Sequence, residues 1–273
     1  MKEGDPTKEA NAKRMMCYEN RQEFSVNQLR KLVPISHENN YGGQSRMPNQ
    51  PNTTLLAIRH GETVWNEENR FQGHGDSPLT ETGCNQVAAL GRRMENFRFD
   101  ALISSDLGRA RETASIIADF TGHKVEVDGR LRERNYGVLE GLTVPEIKAR
   151  NPEVLDQLKG GDPDYIIPEG QSLRQHYRRN VAFIEELLAK RSGATVAVVA
   201  HGGVLDSIFR FVAHLSLDQP RCFITANASL TIITHGTFYG TPRWVIETWG
   251  EVGHLDGIAK LSVQDSWRNK SLR

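Results

Sequence analysis

No uninterrupted apolar run in the 273 residues approaches the roughly 18 needed to cross a bilayer, so nothing points to a membrane partner. The opening stretch, MKEGDPTKEANAKRMMCYEN, lacks the apolar core of a secretory leader and carries too many acids for a transit peptide. Charge of one sign is also missing. The 34 Lys and Arg residues balance 34 Asp and Glu, whereas a general nucleic-acid binder needs clustered base. Cys17, Cys84 and Cys222 are odd in number and widely spaced, forming neither a disulfide framework nor a CxxC metal site. The expected compartment is a reducing cytoplasm. What is present, 38% hydrophobic and 25% charged residues, is the composition of a packed globular domain rather than a disordered chain.

Composition divides the chain. Glu38–Thr54 (ENNYGGQSRMPNQPNTT) is rich in Asn, Gln, Gly and Pro, as loops and linkers are. Residues 1–52 are therefore expected to form an N-terminal extension, either partly disordered or packed as an arm, and residues 53–273 the main domain. From Thr54 onward, strand and helix patterns alternate. Leu55–Ile58, Ala101–Ser104, Val125–Val127 and Thr195–Ala200 read as short buried strands, with Ser229–Thr234 and Trp244–Thr248 as later ones. Helices are expected over Thr80–Phe97 with Thr80 as N-cap, Asp106–Phe120, Thr143–Arg150, Leu173–Arg191 and Gly203–Leu215. Thr143 and Glu146 form a capping-box pair, and Tyr177, Val181, Ile184 and Leu188 an apolar stripe. Such alternation implies an α/β fold: a three-layer αβα sandwich around a mostly parallel sheet.

Two of the strands end alike, in LLAIRHG (Leu55–Gly61) and VAVVAHGG (Val196–Gly203). Ligands of parallel sheets bind beyond the carboxyl ends of the strands. If these two strands are neighbours, His60 and His201 meet there, and Gly61 and Gly202 let backbone come close to a ligand. A third junction, ALISSDLGRA (Ala101–Ala110), places Arg109 at a helix start, where free N–H groups suit an anion. Arg59 and Arg109 add planar forks that match phosphate oxygens, so the set points to phosphoryl chemistry. Two plainer readings stand beside it. Each residue taken singly could be a solvated or structural side chain, and His60, His74 and His201 could share a metal ion. His37, His123, His176, His214, His235 and His254 read as structural, although GEVGHLDG could return His254 to the site.

At this point the chain resembles the histidine phosphatase superfamily, also called phosphoglycerate-mutase-like. Arg59-His60-Gly61-Glu62-Thr63 matches its signature. The resemblance continues in order through Trp65-Asn66, Phe71-Gln72-Gly73, Asp76-Ser77-Pro78-Leu79-Thr80, Gly83, Ser105-Asp106-Leu107, Arg109-Ala110 and Thr113-Ala114. It ends with Leu131-Arg132-Glu133-Arg134, Tyr136-Gly137, Glu140-Gly141 and Val199-Ala200-His201-Gly202-Gly203. It implies that His60 is the nucleophile that becomes a phosphohistidine. By the same resemblance Arg59, Arg109 and His201 hold the phosphoryl oxygens, and Glu133 protonates the leaving oxygen and then activates water. Asn66 and Gln72 become accessory phosphate contacts, with Gly202 beside them as a substrate-binding backbone position. Neither metal nor cofactor is implied, because positioning and cationic charge suffice for the transfer. A carboxyl beside a phosphate dianion is expected to hold its proton more tightly. Arg111 and Arg134 are expected to be ion pairs or solvated charges, Glu62 and Thr63 to cap or orient the loop, and Cys84 to pack.

The family contains phosphatases and cofactor-dependent mutases, and mutases usually carry a longer basic, proline-rich insertion after the Glu133 block. Here Gly141 to Arg174 is short and as acidic as it is basic, which favours a phosphatase acting on a small phosphomonoester. A cofactor-dependent phosphoglycerate mutase and a non-catalytic phosphate-binding scaffold are the alternatives. Glu169-Gly170-Gln171-Ser172 resembles the phosphatases' G-G-E-S, with Gln171 in place of the acid.

Overall fold

The run Leu55–Ile58 has no polar position, so the strand that contains it must be covered on both faces. The computed structural model, which describes residues 51–258, arranges this with six strands: β1 (Thr53–Arg59), β2 (Ala101–Ser104), β3 (Val125–Val127), β4 (Thr195–Ala200), β5 (Leu230–Phe238) and β6 (Thr241–Glu251). The extension expected over 1–52 lies outside the described residues except for its last two. The sheet order is β3-β2-β4-β1-β5-β6, with β3, β2, β4 and β1 parallel and β5 and β6 antiparallel.

The helices among the described residues are α1 (Val64–Glu67), α2 (Glu81–Met94), α3 (Gly108–Thr121), α4 (Val144–Arg150), α5 (Pro152–Gly160), α6 (Leu173–Lys190) and α7 (Gly202–Val212). Alternation along the strands sorts side chains between two layers. Leu55, Ala57, Val196 and Val198 share one core with Phe183, Ile184 and Leu187 of α6 and Val204, Leu205 and Ile208 of α7. Leu56, Ile58 and Val199 point the other way and are equally buried, on the side where α2 and α3 pack together and α3 meets β2 and β4. The expected αβα sandwich is thus the observed one. A smaller cluster of Phe71, Leu139, Val144, Ile147, Val154, Leu155 and Ile167 supports α4 and α5.

Departures from expectation have local causes. The second helix of the domain core, α3, starts at Gly108 rather than Asp106. The residues before it form a turn in which Leu107 N–H donates to Ser105 Oγ, and Asp76 accepts from Arg109 N–H in place of a local cap. Strands β5 and β6 run longer than expected because Tyr239 and Gly240, at φ 53° and 79°, close a tight hairpin between them. Helix α5 was not expected, although Pro152 at its first turn and a left-handed Gly161 after its end are start and stop signals. The stripe on α6 is also rotated. Its buried residues are His176, Asn180, Phe183, Ile184 and Leu187, so Ile184 alone of the expected four is fully covered. Two buried polar side chains on that face point to a use other than packing.

Gly83, in the first turn of α2, lies against the loop that follows β1. A Cβ there would stand 2.0 Å from the Glu62 carbonyl oxygen and 2.9 Å from the Glu62 nitrogen. Alanine elsewhere in a helix gains about 1 kcal/mol over glycine. Overpacking against backbone costs roughly 1–3 kcal/mol, so the clash is the larger effect. Gly83→Ala is expected to lower the urea midpoint of unfolding; an unchanged or raised midpoint would show that α2 can withdraw from the loop.

Candidate active site

Because β1 and β4 pair in parallel with Ile58 opposite Val199 and Arg59 opposite Ala200, the next residue of each strand emerges at the same edge. His60 N–H donates to the Ala200 carbonyl at 3.0 Å, and the His60 and His201 ring centroids are 5.2 Å apart. Both side chains are buried. His60 Nδ1 lies 2.8 Å from the Gly61 carbonyl oxygen, which can only accept. Nδ1 therefore carries the proton, and Nε2 keeps its lone pair. Burial foremost, then Arg109 and Arg59, holds the ring well below the ordinary 6.5, so it is neutral at physiological pH. His201 is likewise held down by burial first, then by Arg109 and His60, and its Nε2 is 2.9 Å from Ser105 Oγ.

Both expected arginines reach this edge with their forks braced. Arg59 donates through Nη1 to the Thr225 carbonyl at 2.6 Å. Arg109 is 1% exposed and donates to the carbonyls of Gly75 (2.9 Å) and Gly73 (2.8 Å) and to Asp76 Oδ1 (3.3 Å). The 73–76 loop is in turn tied down by Glu140, whose carboxylate accepts from the N–H groups of His74, Gly75 and Tyr136. Gly73, at φ 58°, leaves room for that carboxylate, which a Cβ would meet at 2.1 Å. Gln72 is buried beside Gly73, and its Oε1 accepts no hydrogen bond from a described residue. Asn66 holds the loop after His60: its Oδ1 accepts from Thr63 N–H and hydroxyl and from Asn227 Nδ2. Thr63 is the N-cap of α1, as expected.

Glu133 comes from a loop far along the chain and is 12% exposed. Its Oε1 accepts from Arg134 N–H at 2.8 Å, and its Oε2 from Gly203 N–H at 2.9 Å. Burial pushes its pKa up, but His176, the two N–H groups and Arg109 together hold it below the ordinary carboxylate range. His176, with Nε2 3.6 Å from Oε1, is itself pushed down to about 4, chiefly by burial. At neutral pH it is uncharged, and the N–H donors and Arg109 keep Glu133 ionised. The protein's own groups thus do not retain a proton on Glu133; the expected tighter hold belongs to the phosphate-bound state. Room for the carboxylate comes from the second glycine of the His201 turn. A Cβ on Gly203 would stand 2.1 Å from Glu133 Oε1, while on Gly202 the nearest atom would be 3.8 Å away.

Several participants escaped the sequence reading. Asn227 Nδ2 reaches the carbonyls of His60 and Gly61, and Ala228 N–H those of Arg59 and His60. A lone Asn-Ala pair between strands carries no signal for this. His176 read as structural, yet it faces Glu133. Its buried polar position with Asn180, one helical turn on, was the available clue. Arg134 is neither solvated nor paired with a described carboxylate; it is buried and donates to the Gln171 and Tyr165 carbonyls. His254 returns only as far as the Ala228 carbonyl. His74 bonds the Glu133 carbonyl, and among the described residues no three His, Cys, Asp or Glu side chains gather as a metal site, so a shared ion with His60 and His201 is not supported.

Residues 55–251 match the family model for the histidine phosphatase superfamily (branch 1). A curated relative from Yersinia pestis, "Probable phosphoglycerate mutase GpmB", is 36% identical over 211 residues, 77% of this chain and 98% of its own. The solved structure of Bacillus stearothermophilus YhfR superposes with a TM-score of 0.66 at 34% identity, covering 74% of this chain and 99% of that one. A native mycobacterial glucosyl-3-phosphoglycerate phosphatase gives 0.65 at 30% identity over 73% and 99%. The family-wide match and the shared fold lead to one conclusion: this chain belongs to the histidine phosphatase superfamily.

Proposed function

We propose that the protein hydrolyses a small phosphomonoester through a phosphohistidine on His60, without a metal ion. The observation that carries this reading is the bond from His60 Nδ1–H to the Gly61 carbonyl, which leaves Nε2 as the nucleophile of a neutral ring. In the first step the Nε2 lone pair attacks phosphorus, the ester P–O bond breaks, and Glu133 gives its proton to the departing oxygen. In the second, water attacks the phosphohistidine, Glu133 takes a proton from it, and phosphate leaves as the P–N bond breaks. Arg59, Arg109 and His201 stabilise the charge on the transferring group, with Asn66, Gln72 and the Gly202 N–H as further contacts. Since the protein by itself holds Glu133 ionised, the carboxyl takes up its proton from solvent as the substrate binds, because the adjacent phosphate dianion raises its pKa.

Hydrolysis is preferred over transfer to a second hydroxyl because Gly141 to Arg174 forms only two short helices, α4 and α5, closing on a small core. The phosphatase activity in the mycobacterial neighbour's name supports it. The Yersinia relative's name supports the mutase reading, which stimulation by a bisphosphorylated sugar acid and interconversion of phosphoglycerates would favour. A scaffold that only binds phosphate has no need of a neutral nucleophile facing an acid.

A metabolite-panel screen with chelator present is expected to find hydrolysis, together with an acid-labile phosphoenzyme that disappears in His60→Ala. Labelling that persists in that variant would remove the reading. Arg109→Gln removes a charge-assisted partner worth about 1.5–3 kcal/mol, so kcat/KM is expected to fall on the order of ten- to a hundredfold. The same cation helps hold the His60 pKa below 6.5, so its loss lets that pKa rise. The acid limb of kcat/KM should therefore move to higher pH than in the parent protein, measured on one substrate; an unmoved limb would place Arg109 away from His60.

A further inference from the structure

Arg179 has no part in the mechanism above, yet it reaches the loop that presents Glu133. From α6, its Nη2 donates to the carbonyls of Arg132 at 2.6 Å and Glu133 at 2.9 Å, and its Nη1 to Gln171 Oε1 at 3.2 Å. Gln171 is bound to the same loop three more times. Its Oε1 accepts from Asn135 N–H (3.3 Å), its own N–H donates to the Asn135 carbonyl (3.0 Å), and its carbonyl accepts from Arg134 Nε (3.0 Å). This answers the departure at Gln171. The side chain there braces the Glu133 loop and anchors Arg179.

One nitrogen, Nη2, holds both successive carbonyls while Nη1 of the same rigid plane reaches Gln171, a span that the single nitrogen of an ammonium cannot cover. No described carboxylate takes a hydrogen bond or ion pair from Arg179, so both of its hydrogen-bonding arms serve this loop. The clasp falls on the peptide groups either side of the Glu133 Cα, and so sets the direction in which that side chain leaves the backbone. The carboxylate must then meet the Gly203 and Arg134 N–H groups while still facing a leaving oxygen. We infer that Arg179, anchored by Gln171, is a positioning residue for the Glu133 carboxyl. This rests on the reading of Glu133 as the acid that protonates the leaving group.

A proton on the leaving oxygen matters when that oxygen would depart as an alkoxide, and little when it departs as a stabilised phenolate. The test is therefore kcat and KM for an alkyl phosphate, glycerol phosphate, against p-nitrophenyl phosphate. The variants are Arg179→Met, Arg179→Lys and Gln171→Ala, with Glu133→Gln alongside. Misplacing a catalytic group by an ångström can cost about a hundredfold. Arg179→Met should accordingly lose on the order of ten- to a hundredfold more kcat on the alkyl ester than on the aryl ester, with KM changed by less than about threefold. Arg179→Lys should recover part of the selective loss, and Gln171→Ala should show a smaller loss of the same kind. Equal losses on both esters, or none, would overturn the inference if Glu133→Gln is itself selective for the alkyl ester. If Glu133→Gln is not selective, the acid assignment fails and the inference falls with it. Should Arg179→Met not fold, Arg179→Lys and Gln171→Ala carry the same comparison.

Discussion

The parallel register of β1 on β4 is the constraint from which the site follows. With Arg59 opposite Ala200, the two chains leave the sheet at the same level, and the imidazoles of His60 and His201 have nowhere to go but against each other. A one-residue slip would exchange the faces of every side chain in β1. It would place polar Arg59 among the core residues of one layer and Ile58 at the site. Burial of Leu55 to Ile58 on both faces makes such a slip expensive, so the packing of the sheet and the geometry of the site share one cause.

Within that frame the charges are unevenly distributed. Histidines 60, 176 and 201 are all pushed toward neutrality, with burial the leading cause each time. Arginine keeps its charge under the same burial because its reference value is so high. The result is a set of neutral imidazoles beside fixed cations and one ionised carboxylate, suited to attack on and stabilisation of a phosphoryl group. Backbone carbonyls aim the forks, Thr225 for Arg59 and Gly73 and Gly75 for Arg109, with Asp76 a further partner of Arg109.

Close backbone approach recurs wherever the site is assembled. Gly203 admits Glu133, Gly73 admits Glu140, and Gly83 lets α2 press on the loop after His60. Each pairs residues distant in sequence, so a side chain at any of them would separate two parts of the site at once. These glycines are visible in the sequence as motif members, but their partners are not. In the His201 turn Gly203 admits the carboxylate, while a Cβ on Gly202 would meet nothing nearer than 3.8 Å.

The sequence by itself determined the layer architecture, because runs such as LLAI and TVAVVA can only be strands buried on both faces, and the periodic segments between them must cover those faces. It also determined which strand ends carry His60 and His201, since each follows within a residue of an apolar run, and that Arg109 stands at the start of the helix after β2. The tertiary structure alone decided what orients them. The ionised state of Glu133, the turn of α6 that buries His176 and the hold of Arg179 on the Glu133 loop depend on contacts between residues tens of positions apart. The tautomer of His60 is set by the next residue's carbonyl, but only because the folded loop turns that carbonyl toward the ring. Hydrogen-bond partners and desolvation are properties of that three-dimensional neighbourhood, and no local pattern of residue types encodes them.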